Sequence, residues 1–281
     1  MPLIRTLSSG KSSILKDEAF CELLGGVLPP DAELFTELFE QFNNSIKRAD
    51  ARITMNALNN VHGDWYEWLL AISAWNYYCE TEEAHLAVLM PNVARFDVSR
   101  LYVQRLYDLV TDLKQKVLSS SSVQLITSNP DFVIIDNHLA RNLIADPEPI
   151  GNINTGILSA LGDKYSTFID KCEFDDVVGY VSVKTSLRPD RRLQIPHEGS
   201  LMKALYAHLQ TREWITRPRG LRYYAISAEI SEPDKQALKT IATHSITTVF
   251  SLPQAAVDEV YKVNSLVEAK EAFRIILTSQ G

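Results

Sequence analysis

Cysteine is scarce in this chain: three residues among 281, Cys21, Cys79 and Cys172, far apart and odd in number. That argues against a disulfide framework and against a cysteine-built metal site. It suits small buried side chains in a reducing cytoplasm. Long apolar runs are also missing. No segment approaches the ~18 consecutive apolar residues of a membrane span, and the first twenty residues lack the apolar core and cleavage site of a secretory signal. There is no G-x-G-x-x-G. The stretch SSGKSS at 8–13 lacks the leading glycine and the preceding strand of a phosphate loop. The six histidines show no zinc spacing. Internal repeats are absent, and no linker is long enough to force a boundary, so one domain is expected over 1–281.

What is present is a core. Apolar residues make up 46 % of the chain. Residues 31–49 follow two prolines and carry apolar positions at helical spacing: Leu34, Phe35, Leu38, Phe39 and Phe42. The run GDWYEWLLAISAWNYYCE (63–80) is apolar and aromatic enough for a largely buried helix. An amphipathic helix is expected over 97–118, ended by four serines. VQLITSNPDFVIID (123–136) reads as strand, turn, strand about Ser-Asn-Pro. A helix is expected around 155–170. Residues 177–187, VVGYVSVKTSL, are apolar on both faces and predict a central strand. Helix 199–211 and strand 220–230 follow, then a short strand at 245–252, a helix from Pro253 to Tyr261 and a last helix over 266–277. Helices come first; strands and helices alternate later. The fold class expected is α/β, a mixed central β-sheet flanked by helices.

Charge is unevenly placed. The net charge is −7, yet residues 184–222 hold nine Lys/Arg and three Asp/Glu, a local +6. A basic island in an acidic body can hold a polyanion at one place and repel it elsewhere; the bland alternative is a solvated face.

Four side chains then suggest chemistry. Asp131 follows Pro130; Lys184 ends the central strand, two residues after Ser182; Glu198 opens the next helix; Glu67 sits among Trp65, Tyr66 and Trp68. Phosphodiester hydrolysis needs a deprotonated water and a sink for negative charge. Mg²⁺ held by carboxylates provides both, and an ammonium beside it offsets charge on the phosphate. A glutamate on an aromatic helix is costly unless paired or coordinating. Singly, each residue also has an ordinary reading: a turn aspartate, a helix-start glutamate, a strand-end lysine.

Taken together with their surroundings, these residues resemble a family. A Pro-Asp on one strand and a lysine on another is the skeleton of the PD-(D/E)XK nucleases. The usual acidic residue two before the lysine is replaced here by Ser182. One branch of restriction endonucleases has this departure, its second carboxylate coming from the following helix. The chain resembles that branch: type II enzymes with CCGG in their sites, especially those cutting purine-CCGG-pyrimidine. The resemblance rests on GDWYEW (63–68), SNPDF (128–132), SVKT (182–185), RPDRRLQ (188–194), HEGSLMKALYAHLQTR (197–212), RYYA (222–225) and THSIT (243–247). It is weaker in the helical part over residues 1–55.

The resemblance implies a restriction-endonuclease-like core in a bacterial protein. It makes Asp131 and Glu198 the Mg²⁺ carboxylates, Glu67 a further one and Lys184 the catalytic lysine. Ser182 lies beside them. Arg188, Asp190 and Arg191 would read the CCGG core of duplex DNA. The chemistry agrees: an arginine fork donates to N7 and O6 of guanine, and a carboxylate accepts from N4 of cytosine. A symmetric dimer would read the palindrome from both ends. Arg192 is expected to touch phosphate or pair within the chain. Asn60, seven residues before Glu67, would reach base edges if both share one helix across His62-Gly63. Arg212, Arg217, Arg219 and Arg222 are further candidates for phosphate or the outer purine. Members of the resembled subgroup are commonly tetramers, two dimers back to back, and Trp214 is the candidate anchor between them. The implied activity is Mg²⁺-dependent hydrolysis of both strands at 5′-RCCGGY-3′ after the first base. The rivals are a repair or structure-selective nuclease of the same core, which would cut without one fixed sequence, and a silent DNA-binding relative, which would bind without cutting.

Overall fold

The computed structural model describes residues 3–6, 12–91, 96–125, 130–246 and 253–278. A small hairpin, β1 (Ile4–Thr6) with β2 (Ser12–Ile14), precedes α1 (Lys16–Leu23) and α2 (Phe35–Ala49). Next comes α3 (Met55–Glu80), the longest helix described. Thr54 caps its start, the side chain accepting from the Ala57 N–H. The helix is apolar nearly all round, as a buried helix must be. The polar tips of its aromatic residues find backbone acceptors: Trp65 on Lys16 at 2.9 Å, Tyr66 on Val263 at 2.6 Å and Trp75 on Glu148 at 2.8 Å.

After α3 come β3 (Leu86–Leu89), α4 (Gln104–Ser121), β4 (Phe132–Ile135), α5 (Asn137–Leu143) and α6 (Thr155–Asp163). Then follow β5 (Val177–Ser186), α7 (Pro189–Arg212), β6 (Arg222–Glu229), α8 (Glu232–Leu238), β7 (Glu259–Lys262) and α9 (Leu266–Thr278). The main sheet runs β3-β4-β5-β6-β7. The first two pairings are antiparallel and the last two parallel. The sheet is mixed and flanked by helices, as expected, and β5 is its middle strand. Helix α3 packs on β3, β5 and α9; α7 packs on β6 and α4.

Several elements differ from expectation. Residues 123–125 form no strand, and 126–129 lie outside the described residues; β4 pairs instead with β3, whose short run LAVL carries no turn signal of its own. Residues 97–103 are a 3₁₀ turn and an extended link, so the helix begins at Gln104. The helix after Thr155 continues from Lys164 as a 3₁₀ turn. Helix α7 starts ten residues before Gly199, with Pro189 at its first turn. Pro196 reads as a boundary because it removes one helical hydrogen bond, but the helix runs through it. Of the strand expected at 245–252, residues 243–246 form a 3₁₀ turn and the remainder lies outside the described residues. The helix from Pro253 to Tyr261 is absent. Residues 253–258 are irregular, and Glu259–Lys262 pair with β6. Helix-forming composition yields there to strand pairing.

That irregular segment is tightly tied. Lys203, 2 % exposed, donates to the Ala255 carbonyl and to Asp258 at 2.7 Å each. Gly199 lies against it so closely that a methyl group would meet the Ala256 carbonyl oxygen at 2.2 Å and the Tyr223 ring at 2.9 Å. Only glycine lets α7 approach both. No described helix is long and apolar enough to cross a membrane.

Candidate active site

Pairing of β4 with β5 sets the register Phe132 to Val181. Asp131, one residue before β4, therefore reaches the end of β5. One of its carboxylate oxygens accepts from the Val183 backbone N–H at 2.5 Å, Lys184 Nζ at 3.0 Å and Ser182 Oγ at 3.4 Å. The Asp131 backbone carbonyl accepts from Met90 at the end of β3. Two neighbouring strands thus fix its position. It stands at the entry of β4; no hairpin turn is described around it. Ser182 and Lys184 lie two residues apart on β5 and so share one face of the sheet, beside Ala225 and Ser227 of β6.

Glu198 reaches the same neighbourhood from α7. It lies in the interior of that helix, not at its start, because the helix begins at Pro189. The residue is buried, 5 % exposed. Gln194, one turn earlier, donates to Oε1 at 2.7 Å, and the Tyr223 hydroxyl donates to Oε2 at 3.1 Å. Tyr223 also feels the charges of both Glu198 and Asp131 and lies within hydrogen-bond reach of Ser182. Burial and those negative neighbours hold its phenol above the ordinary tyrosine range, so it is a donor at neutral pH. An unbroken polar chain runs Asp131, Ser182, Tyr223, Glu198.

Glu67 approaches from α3. Asn59, Asn60, Gly63, Glu67, Lys184, Thr185, Arg191 and Gln194 line a cleft of about 320 Å³ with Tyr66 and Val183. Helix α3 is continuous through His62-Gly63, where His62 hydrogen-bonds Asn43 at 2.9 Å and stacks on Phe39 at 5.0 Å. Asn60 and Glu67 therefore do share a helix, two turns apart. Burial, then the nearby Asp131 charge, pushes the Glu67 carboxyl up to about 8, against an opposing pull from Lys184.

These residues fit a hard divalent cation. Carboxylate oxygens are its preferred protein donors, and Mg²⁺ takes one or two of them and keeps waters. The crowding of Glu67 against Asp131 is the negative potential that a cation relieves. Among the described residues, no three carboxylate, histidine or cysteine groups stand together as a ready cage.

The arginines divide into two sets. Arg188 and Asp190 lie exposed at the start of α7, 4.0 Å apart, with Arg191 at the cleft wall. Four others pair with carboxylates of this chain. Arg192 pairs with Asp234 at 2.6 Å, Arg212 with Asp112 at 2.8 Å, Arg219 with Asp136 at 2.9 Å and Arg222 with Asp258 at 3.6 Å. Much of the basic island is therefore neutralised by carboxylates distant in sequence. Arg217 has no ion pair among the described residues. Trp214 follows α7 in the left-handed region, φ 56°, and is 87 % exposed. It is not a core tryptophan.

Sequence reasoning missed Gln194 and Tyr223. Gln194 has one legible signal, its four-residue spacing before Glu198 on a helix. Tyr223 has no signal beyond its place in RYYA, since it meets Glu198 only through the pairing of β6 beside β5.

The metal-free protein should record the Glu67 proton in its stability. The native state keeps that proton up to about pH 8, whereas an unfolded glutamate releases it near 4.5. The native state binds more protons between those values, so its stability falls as pH rises through this window. Glu67→Gln cannot ionise. Thermal denaturation in EDTA is expected to show it gaining on the wild type by several degrees at pH 8.5 and little at pH 5; equal shifts at both values would contradict the geometry.

Comparisons with known proteins place the chain in a family. Residues 29–279 match the family model of the Cfr10I/Bse634I restriction endonucleases. The chain is 44 % identical over 252 residues to the type II restriction enzyme Cfr10I of Citrobacter freundii, covering 88 % of each chain. Its fold is similar to Bse634I restriction endonuclease, with a TM-score of 0.88 and 32 % identity over 98 % of this chain and 97 % of that one. A structure of the type IIF enzyme Bse634I with cognate DNA matches with a TM-score of 0.87 and 31 % identity over the same shares. Enzymes of this kind generally use a divalent metal ion. The chain belongs to the Cfr10I/Bse634I restriction endonuclease family and is a type II restriction endonuclease.

Proposed function

We propose that this protein, as one endonuclease domain over residues 1–281, cuts both strands of duplex DNA at 5′-RCCGGY-3′ with Mg²⁺ as cofactor. The observation that carries the reading is the Lys184–Asp131 ion pair at 3.0 Å, beside a cleft that also takes Glu67, Asn60 and Arg191. Asp131 and Glu198 hold the metal, with Glu67 as a third carboxylate nearby. When bound, Mg²⁺ lowers the pKa of a water and neutralises charge gathering on the phosphate. Lys184 directs its ammonium at the attacking water and the phosphate oxygens. Water adds to phosphorus in line with the 3′ oxygen, the P–O3′ bond breaks, and the products carry 5′-phosphate and 3′-hydroxyl ends. Cleavage after the first base leaves a 5′-CCGG overhang. Ser182 keeps the Asp131 carboxylate oriented.

Readout comes from the start of α7. Arg188 and Arg191 donate to guanines and Asp190 accepts from cytosine in the major groove. Exposure of Arg188 and Asp190 supports this assignment. Asn60 meets base edges from the minor-groove side, supported by its place on the Glu67 helix. A homodimer reads the palindrome, and two dimers join through Trp214, whose large apolar ring is otherwise unfavourably exposed. The setting is the bacterial cytoplasm.

A plasmid of known sequence, incubated with Mg²⁺ or EDTA, tests the whole reading. Discrete Mg²⁺-dependent fragments with CCGG overhangs are expected; random nicking would point to a nuclease without this readout. Lys184→Ala should lose cutting by several orders of magnitude and keep specific binding. Arg188→Ala should lose about 1–3 kcal/mol of specific binding per half-site; a variant that still cuts CCGG sites at the normal rate removes that role. Trp214→Ala is expected to sediment as a dimer, and an unchanged sedimentation profile takes Trp214 out of the interface.

A further inference from the structure

We infer that Tyr223 is a positioning residue for catalysis: its buried hydroxyl holds Glu198 where the second metal-binding carboxylate is needed. The inference rests on the reading of Glu198 as a metal carboxylate and extends it to a residue without an assigned role. Ordinarily in this kind of core the second acidic group stands on the same strand as the lysine, and the strand itself aims it. Here that strand position is Ser182, and the carboxylate arrives on α7. A carboxylate delivered by a helix needs something on the sheet to register it.

Tyr223 is that contact. It lies on β6, one strand over from Lys184 on β5 and two from Asp131 before β4, paired with Tyr180 of β5. The side chain is fully buried, 0 % exposed. Its hydroxyl donates to Glu198 Oε2 at 3.1 Å. Ser182 Oγ lies within reach of the same hydroxyl. Tyrosine has one hydroxyl proton, and Glu198 takes it. Ser182 can then donate to the tyrosine oxygen or to Asp131. The two hydroxyls therefore stand between the carboxylate on α7 and the one before β4, with Ser182 donating to one side at a time.

Mounting of the ring reinforces the bridge. Gly199, next to Glu198, touches the Tyr223 ring so closely that a methyl group would stand 2.9 Å from it. The Tyr223 backbone N–H donates to Asp258 at 2.7 Å, and the same carboxylate binds the buried Lys203 of α7. Helix, strand and the segment before β7 meet at this residue. The Gln194 contact on the other Glu198 oxygen lies at the open cleft, where water can replace it. The tyrosine hydroxyl, on a side chain 0 % exposed, has no such open side. Groups that orient a metal ligand are commonly worth tenfold or more in metal affinity.

Tyr223→Phe keeps the ring and removes one oxygen. Mn²⁺ binding to the DNA-free protein, followed by electron paramagnetic resonance, reads metal affinity without turnover. Mg²⁺ titration of single-turnover cutting reads the same property in action. Expected are a loss of about tenfold in Mn²⁺ affinity and a similar rise in the Mg²⁺ needed for half-maximal rate, with specific DNA binding in EDTA preserved. In a Glu198→Ala background the Phe substitution should add nothing further to the Mn²⁺ loss. A further loss there makes Tyr223 a general structural residue and overturns the inference. So does a Phe variant with normal Mn²⁺ affinity, or one that no longer binds duplex DNA in EDTA. If Glu198→Ala itself binds Mn²⁺ normally, the reading of Glu198 falls and this inference with it. Wild-type failure to cut DNA would instead count against the proposed function while leaving the Mn²⁺ comparison readable.

Discussion

The cleft depends on where Asp131 is held. A single carboxylate oxygen takes the Val183 backbone N–H, the Lys184 ammonium and the Ser182 hydroxyl. The backbone donor matters most, because its position is set by the β4–β5 register and not by a rotamer. One residue of slip would move Ser182 and Lys184 to the other face of the sheet. Burial of β4 and most of β5 prevents that slip, since a slipped strand would turn its core face outward. The hydrophobic core and the ion pair are therefore two consequences of one register.

Helices bring the remaining groups to that point, and each pays in conformational strain or desolvation. Glu67 is carried by α3 to the cleft wall, near the Asp131 charge, and keeps its proton up to about pH 8. Glu198 is carried in by α7, past Pro196, and needs Gly199 to approach the sheet. Arg188, Asp190 and Arg191 are the first turn of the same helix. Recognition and the second carboxylate thus ride, in the proposed function, on one helix. In the proposed function, a base pair that Arg188 or Arg191 cannot bind would also leave α7, and with it Glu198, less firmly placed.

Much of this was legible in the sequence. The strand over 177–187 and the last helix were evident because their apolar patterns are local. Asp131, Ser182 and Lys184 could be gathered because two strands and a short spacing suffice to relate them. The failures have common physical causes. Pro196 imitates a boundary, so the start of α7 and the depth of Glu198 in it were misjudged. Residues 253–261 carry helix-forming composition, but pairing with β6 decides their state. The basic island looked like one field; Asp112, Asp136, Asp234 and Asp258, all distant in sequence from part of it, neutralise much of it. Tyr223 was visible only as part of a resembling stretch, because its partner is chosen by the parallel register of β5 and β6, which no local pattern encodes.

The central claim is that one carboxylate before β4 and one from α7 serve a single metal site although strand position 182 carries a serine. A crystal of the protein with a duplex containing GCCGGC, soaked in Mn²⁺, tests it through anomalous scattering. The account expects a Mn²⁺ peak bound by Asp131 and Glu198 beside the phosphate, with Lys184 facing the same phosphate. A peak bound without Glu198, or at carboxylates remote from Lys184, would contradict it.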